Sequence, residues 1–320
     1  MPELPEVETI VSDLNKKIKG HIVADFWSDW PKAIKGKSLE VFRKEIKGRK
    51  ILGTRRLGKN IFIDLSGNKT LYIHLKMTGH LLIKFKIQNS KSQTNSIRQP
   101  ADKIPNSKLD YFSDRVNQYV HHIWKLKAKS EKLKAKEKTL EFSDVRKFAK
   151  IVLDDTEKIN NLPEIKKLGV DAMSPQFTLK KFKEILKPHP RPLLNKERGI
   201  VNRSIGIVLM EQELIAGIGN IYRSEILFES GIFPQRKIKS LKNEEKKKIY
   251  KNIIKVLKKA IKMRGTSDSD YRDTSGAPGN FQKVMKVYRH TGKKCGKCDT
   301  IIKRIILGQR SAFYCPRCQK

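Results

Sequence analysis

The feature that most limits what this chain can fold into is its cysteine usage. There are four, near the C-terminal end, as Cys295-Gly-Lys-Cys298 and Cys315-Pro-Arg-Cys318 with sixteen residues between the pairs. A C-x2-C segment turns back on itself, so that two thiolates meet one metal ion, and four sulfurs satisfy one tetrahedral Zn2+ as a closed structural site. Two disulfides are the competing reading, which a chain expected in the reducing cytoplasm disfavours. Between the pairs, 301–306 and 311–314 have strand character and flank Leu307-Gly308-Gln309-Arg310 as a turn. The expected unit is a zinc-pinned β-hairpin with Arg310 at its tip, where the guanidinium either forks onto a phosphate or stands as a solvated surface arginine.

Charge narrows the partner. Seventy Lys and Arg against thirty-three Asp and Glu give a net +37 over 320 residues, spread along the chain. A polyanion suits this balance, with binding that weakens steeply as salt rises and a basic field that speeds encounter. A lysine-rich proteome would give the same composition, so charge alone leaves nucleic acid and other anionic surfaces both open. The length allows two or three domains, and a 38% hydrophobic share fits ordinary cores. No apolar run approaches the roughly 20 residues of a membrane span. Glu3, Glu6 and Glu8 stand where a secretory signal needs a basic and then an apolar stretch. The expected location is the cytoplasm, with the nucleoid in a bacterium.

Periodicity predicts a helix over 4–19, with Val7, Ile10, Val11, Leu14 and Ile18 on one face. Short strands follow at 22–27, 39–42, 50–52, 61–65, 70–75 and 81–85, punctuated by glycines, and a β-sandwich is the economical architecture. Residues 88–118, rich in Asn, Ser, Gln and Lys, read as a mobile insertion. Residues 125–138 read as a strand and hairpin loop rather than a basic helix, and 140–148 as the returning strand. Helices are expected at 163–168, 178–186, 200–210, 220–230 and 243–263, with breaks at Gly169, Pro188, Pro190, Gly217 and Gly219. The last buries Ile249, Ile253, Val256, Leu257 and Ala260 and turns its lysines to solvent.

Two segments carry chemistry. The opening Met1-Pro2-Glu3-Leu4-Pro5-Glu6 would leave, once Met1 is removed, a secondary amine beside two carboxylates. An α-amino group titrates near ~8, so roughly a tenth is uncharged at neutral pH and able to attack carbon. Glu3 and Glu6 are then positioned to move protons; an unremarkable exposed terminus is the alternative. In Gly217-Ile-Gly219-Asn220-Ile-Tyr222-Arg223-Ser-Glu225, two glycines permit a tight turn before a helix whose first N–H groups offer a phosphate seat or simply a cap.

Together these pieces resemble the formamidopyrimidine-DNA glycosylase family. The residues that carry the likeness are Met1 to Thr9, His74-Leu-Lys-Met77-Thr-Gly79, Gly217 to Glu225, Gly279-Asn-Phe-Gln282 with Val287-Tyr288, and Gly308 to Cys318. Their order and spacing agree across most of the chain outside about 88–138. The resemblance implies an α+β multidomain fold. Its parts are an N-terminal catalytic β-sandwich (1–155, insertion at about 88–118), a helix-two-turn-helix domain (160–264), and a lesion-recognition loop with a β-hairpin zinc finger (265–320). It implies a monomer that binds damaged double-stranded DNA.

The resemblance also implies roles. Pro2 would attack the sugar, Glu3 would act as acid and base, and Glu6 would orient the site. Lys59, His74, Asn220 and Arg310 would grip phosphates. Met77, Arg146 and Phe148 would fill the gap left by an everted nucleotide, and residues 265–282 would close over the base. The implied activity is excision of oxidised purines followed by β,δ-elimination as an abasic-site lyase. Oxidised pyrimidines, or a non-catalytic role in binding bent DNA, are the alternatives. Two positions depart from the pattern: Gly206 stands where a lysine is usual, and Ala149 where glycine is usual.

Overall fold

A computed structural model describes residues 1–85, 111–128, 137–187 and 200–320. Helix α1 (Leu4–Ile18) carries Pro5 in its first turn, where a missing N–H is not needed, and buries the apolar face its spacing predicts. Strand β1 (Ile22–Ser28) follows, then helix α2 (Leu39–Ile46). A strand was expected at 39–42. Ser38 instead caps a helix, its hydroxyl accepting the Val41 N–H at 3.3 Å, and Phe42 and Ile46, one turn apart, are both buried. The Phe42 ring lies 4.7 Å from that of Phe26.

The sandwich is completed by β2 (Ile51–Leu57), β3 (Asn60–Leu65), β4 (Lys69–His74), β5 (His80–Phe85), β6 (Val120–Lys127), β7 (Lys138–Ser143) and β8 (Lys150–Asp155). One antiparallel sheet runs β1-β6-β7-β5 and the other β2-β3-β4-β8. Their inner faces share one core with α1, in which Phe26, Trp124 and Phe142 from the first sheet meet Ile61, Ile73 and Ile151 from the second. Residues 125–138 do enter and leave as paired strands; the connection at 129–136 lies outside the described residues. The returning strand is shorter than expected, ending at Ser143, because Asp144 folds the chain into a turn. Of the stretch read as mobile, residues 111–118 form two 3-10 turns with Asn117 buried; 88–110 lie outside the described residues.

Helices α3 (Thr156–Asn160) and α4 (Pro163–Lys166) lead to β9 (Val170–Asp171) and α5 (Leu179–Ile185). Pro188 and Pro190 fall outside the described residues. Next come α6 (Ile205–Val208), β10 (Ile215–Ala216), which pairs in parallel with β9, then α7 (Asn220–Ser230) and α8 (Asn243–Lys262). The single helix expected over 200–210 is broken: the Ile205 and Gly206 N–H groups bond to the carbonyls of Arg236 and Pro234, which leaves only a short α6. The hairpin β11 (Lys303–Leu307) and β12 (Arg310–Tyr314) closes the chain, and Phe313, Cys295 and Cys315 join the core of the helical region. No helix among the described residues is long and apolar enough to cross a membrane.

Candidate active site and nucleic-acid interface

The first turn of α1 is built around two buried carboxylates. Glu6 accepts the Glu3 N–H at 2.7 Å and the Thr266 N–H at 2.7 Å, and the Tyr222 hydroxyl donates to it as well. Burial, with the Glu3 charge adding to it, pushes the Glu6 carboxyl up to about 7. Glu3 reaches the other way, its carboxylate accepting the N–H groups of Gly219 at 2.7 Å and Ile221 at 2.9 Å. These are donors at the start of α7, so the seat offered to a phosphate is taken by Glu3.

Lys59 sits at the tip of the β2–β3 turn, after Gly58 at φ 58°. The turn is bolted to the helical region: the Asp171 carboxylate takes the Gly58 N–H at 2.7 Å and pairs with Arg56, which also holds Glu8. Lys59 is therefore buried at the junction, with its ammonium 3.0 Å from the Ile218 carbonyl. Burial lowers its pKa, Glu3 opposes this, and Arg310 pushes the same way as burial.

Arg310 projects from the hairpin where Gly308 and Gln309 both have positive φ, the geometry of a tight two-residue turn. Arg223 connects this hairpin to α7, donating to the Ser311 carbonyl at 2.9 Å and to Asn220 Oδ1 at 2.6 Å. Its guanidinium is fully buried with no carboxylate in contact among the described residues, and burial pulls its pKa down to about 10. By fixing the Asn220 oxygen, Arg223 commits the amide N–H2 edge to donation. His74, close to Lys59, accepts the Lys76 N–H on Nδ1, and burial lowers its pKa to about 4. It is neutral, with Nε2–H left as a donor. An anion running past these groups would relieve a cluster of crowded cations.

Met1, Pro2, Glu3, Lys59, Met77, Asn220 and Arg310 line a single cavity of about 330 Å³. Glu6 and His74 are not among its lining residues; Glu6 holds the Thr266 N–H, whose residue does line it, and His74 feels the charge of Lys59. Arg146 and Phe148 stand on the β7–β8 turn, exposed, with the guanidinium 4.8 Å from the ring centroid. Met77 is 41% exposed and Phe148 52%, so neither is core. Residues 265–282 form another wall of the cavity through Thr266, Asp268, Ser269 and Tyr271. That segment is tied down by the preceding Arg264 on Asp13 of α1, by Thr274 on Asp13, and by Asn117, which links the Gly276 carbonyl to His80 on β5. Gly206 is packed against Leu307 and the Pro234 carbonyl, where a Cβ would come within 2.7 Å of each, so its side-chain position is not the cavity.

Sequence reasoning missed Arg56, Asp171, Thr78, Asp144, Tyr222 and Arg223 as builders of the site. Arg223 alone left a signal, since it follows Asn220 by three residues on a helix and so shares its face.

The four cysteine sulfurs lie within 4.8 Å of one another. A tetrahedron with Zn–S of about 2.3 Å needs sulfurs roughly 3.8 Å apart; pairs at 3.3, 3.4 and 3.9 Å scatter around that spacing and bring all four within reach of one ion. Family profiles match the Formamidopyrimidine-DNA glycosylase N-terminal domain at residues 1–151, its H2TH domain at 168–272, and the zinc finger found in FPG and IleRS at 292–320. The chain belongs to the formamidopyrimidine-DNA glycosylase family. A curated member from Carboxydothermus hydrogenoformans is 35% identical over 320 residues, covering 100% of both chains. One from Pelotomaculum thermopropionicum is 33% identical, covering 100% of this chain and 99% of that one. Among solved structures, Lactococcus lactis Fpg in complex with abasic-site DNA superposes with a TM-score of 0.75 at 27% identity, covering 99% of each chain. A mutant of that enzyme with DNA containing Fapy-dG gives 0.76 at 28%, covering 100% of each. The chain is thus a DNA glycosylase with a structural zinc held by Cys295, Cys298, Cys315 and Cys318.

Proposed function

We propose that this enzyme excises oxidised purines, 8-oxoguanine and formamidopyrimidines, from duplex DNA through a covalent Pro2 intermediate, and then cuts the strand as an abasic-site lyase. The observation that carries the reading is the meeting, in one cavity, of the N-terminal segment, buried Glu3 and the cations Lys59 and Arg310. While Met1 is attached the Pro2 nitrogen is an amide; removal of Met1 makes it a secondary amine in the same place. Burial holds the Met1 amino group below its ordinary value against Glu3 and Glu6, with Lys59 helping. The same surroundings favour an uncharged Pro2.

The lone pair of Pro2 bonds to C1′ of the damaged nucleotide as the bond from C1′ to the base breaks, and the base leaves with that electron pair and a proton. Glu3 protonates the sugar ring oxygen, and the opened ring becomes an iminium. This electron sink acidifies C2′, whose proton is lost as the 3′ phosphate departs, and a second elimination expels the 5′ phosphate. Water then releases Pro2. Zinc held by Cys295, Cys298, Cys315 and Cys318 would fix the hairpin that presents Arg310, a structural role apart from these steps. Lys59, His74, Asn220 and Arg310 grip the phosphates around the kink, while Met77, Arg146 and Phe148 fill the vacated stack, offsetting the few kcal/mol of eversion.

One chain completes the cavity, which supports action as a monomer. A Lactococcus lactis Fpg structure with oxidised-pyrimidine DNA, 27% identical with a TM-score of 0.74, keeps pyrimidine lesions as the comparison to make. The test is excision by the Met1-free enzyme from duplexes carrying 8-oxoguanine or an oxidised pyrimidine in competition. Preference for the purine, with phosphate left at both ends of the gap, is expected. Preference for the pyrimidine, or excision with an uncut strand, would overturn the reading.

A further inference from the structure

We infer that Asp144 and Thr78 are positioning residues that clasp the two exposed loops carrying Met77, Arg146 and Phe148 into one unit, an inference that rests on the wedge role proposed for those three residues. Met77 stands between β4 and β5, Arg146 and Phe148 between β7 and β8, so chain order alone does not join them. The Asp144 side chain does. It is fully buried. One oxygen accepts the Thr78 hydroxyl and the Arg146 N–H at 3.2 Å; the other accepts the N–H groups of Phe148 at 2.9 Å and Ala149 at 3.1 Å. The Thr78 hydroxyl oxygen in turn receives the Arg146 N–H at 3.1 Å.

Every donor on this carboxylate adjoins or belongs to a wedge residue. Hydrogen bonds to an ionised acceptor are the strong class, and the buried Asp144 carboxylate would be costly to leave short of donors. Each loop also holds a lysine in the left-handed region, Lys76 at φ 54° and Lys147 at φ 54°. Side chains other than glycine persist there only where their surroundings fix them. With the clasp closed, Met77 and Phe148 are both held out in solvent, free to fill the vacated stack proposed above. The loops then enter the duplex together, as one wedge.

The test uses a duplex with an abasic-site analogue opposite 2-aminopurine, whose fluorescence reports unstacking of the orphaned base. Wild type is compared with Thr78→Val, Thr78→Ser, Asp144→Asn and the double variant, with Met77→Ala and Phe148→Ala as controls. Thr78→Val should lower the fluorescence rise and weaken lesion-duplex binding about tenfold, as expected for losing one strong hydrogen bond. KM should suffer more than kcat, and Thr78→Ser should restore both. The loss in the double variant should be smaller than the sum of the two single losses, since Thr78 and Asp144 bond to each other and share the Arg146 N–H. Wild-type fluorescence and affinity in Thr78→Val, while the controls lose both, would overturn the clasp even if thermal stability fell. Controls that leave fluorescence unchanged would sink the wedge role itself, and the clasp with it.

Discussion

The Gly219 N–H donates to the Glu3 carboxylate at 2.7 Å, and there is no room between them for a side chain. A Cβ on Gly219 would lie 2.4 Å from the Glu3 carboxyl carbon. The glycine's φ of −131° is one that any residue adopts, so its bare Cα serves the carboxylate rather than the backbone. Gly219→Ala should therefore leave the fold intact and displace Glu3, lowering single-turnover excision by about 10² or more, the cost of a reacting group misplaced by an ångström. An unimpaired rate would show that Glu3 works from elsewhere.

Glu6 makes stability depend on pH. Its folded-state value of about 7 is raised from an ordinary 4.5, so the folded protein holds this proton more tightly than the unfolded chain. The contribution is greatest below about 4.5 and is lost as pH rises through 7. Glu6→Gln should flatten that part of the curve, measured as urea midpoints between pH 4.5 and 7.5. A slope equal to wild type would place the titration on another group.

Arg310 and Lys59 are assigned to phosphates, and each such contact carries a share of the salt dependence. Arg310→Ala should weaken binding to lesion duplex and reduce the slope of log affinity against log salt by about 0.9. Weaker binding with an unaltered slope would mean that the arginine reads something other than phosphate.

The zinc finger is integral to the helical region's core but shares little with the sandwich. Cys315 is buried in the same cluster as Phe228 and Phe313, and the Phe233 N–H bonds to the Lys320 carbonyl at 2.9 Å. Chelation of zinc, or Cys315→Ser, should abolish DNA binding as Arg310 loses its platform. The sandwich should keep its structure, seen as retained amide protection in hydrogen exchange over β2 to β8. Undiminished affinity in Cys315→Ser would separate the finger from recognition.

Much of this was legible in the sequence because its signals are local. Cysteine spacing, the apolar face of α1 and the turn at Gly308-Gln309 each depend on residues a few positions apart, and each appears as expected. Segment 39–42 was misread because four residues cannot distinguish a strand from the first turn of a helix; Ser38 was the overlooked cue. The partners of Glu3 and Glu6, at Gly219, Tyr222 and Thr266, lie more than 200 positions away, and no period connects them. From the sequence, the start of α7 therefore leaves a phosphate seat and a simple cap equally open. Asp144 read as one more strand residue, since a carboxylate that gathers N–H groups from its own turn leaves no apolar pattern.

The proposed chemistry begins with an amine at position 2 that bonds to sugar carbon. The direct measurement is intact mass and peptide mapping after borohydride treatment of the enzyme with 8-oxoguanine duplex, on a sample whose mature terminus has been sequenced. A DNA adduct reduced onto Pro2, absent from a sample that retains Met1, is the predicted result. Strand cleavage at full rate with Met1 still attached, or an adduct mapping to Lys59, would contradict it.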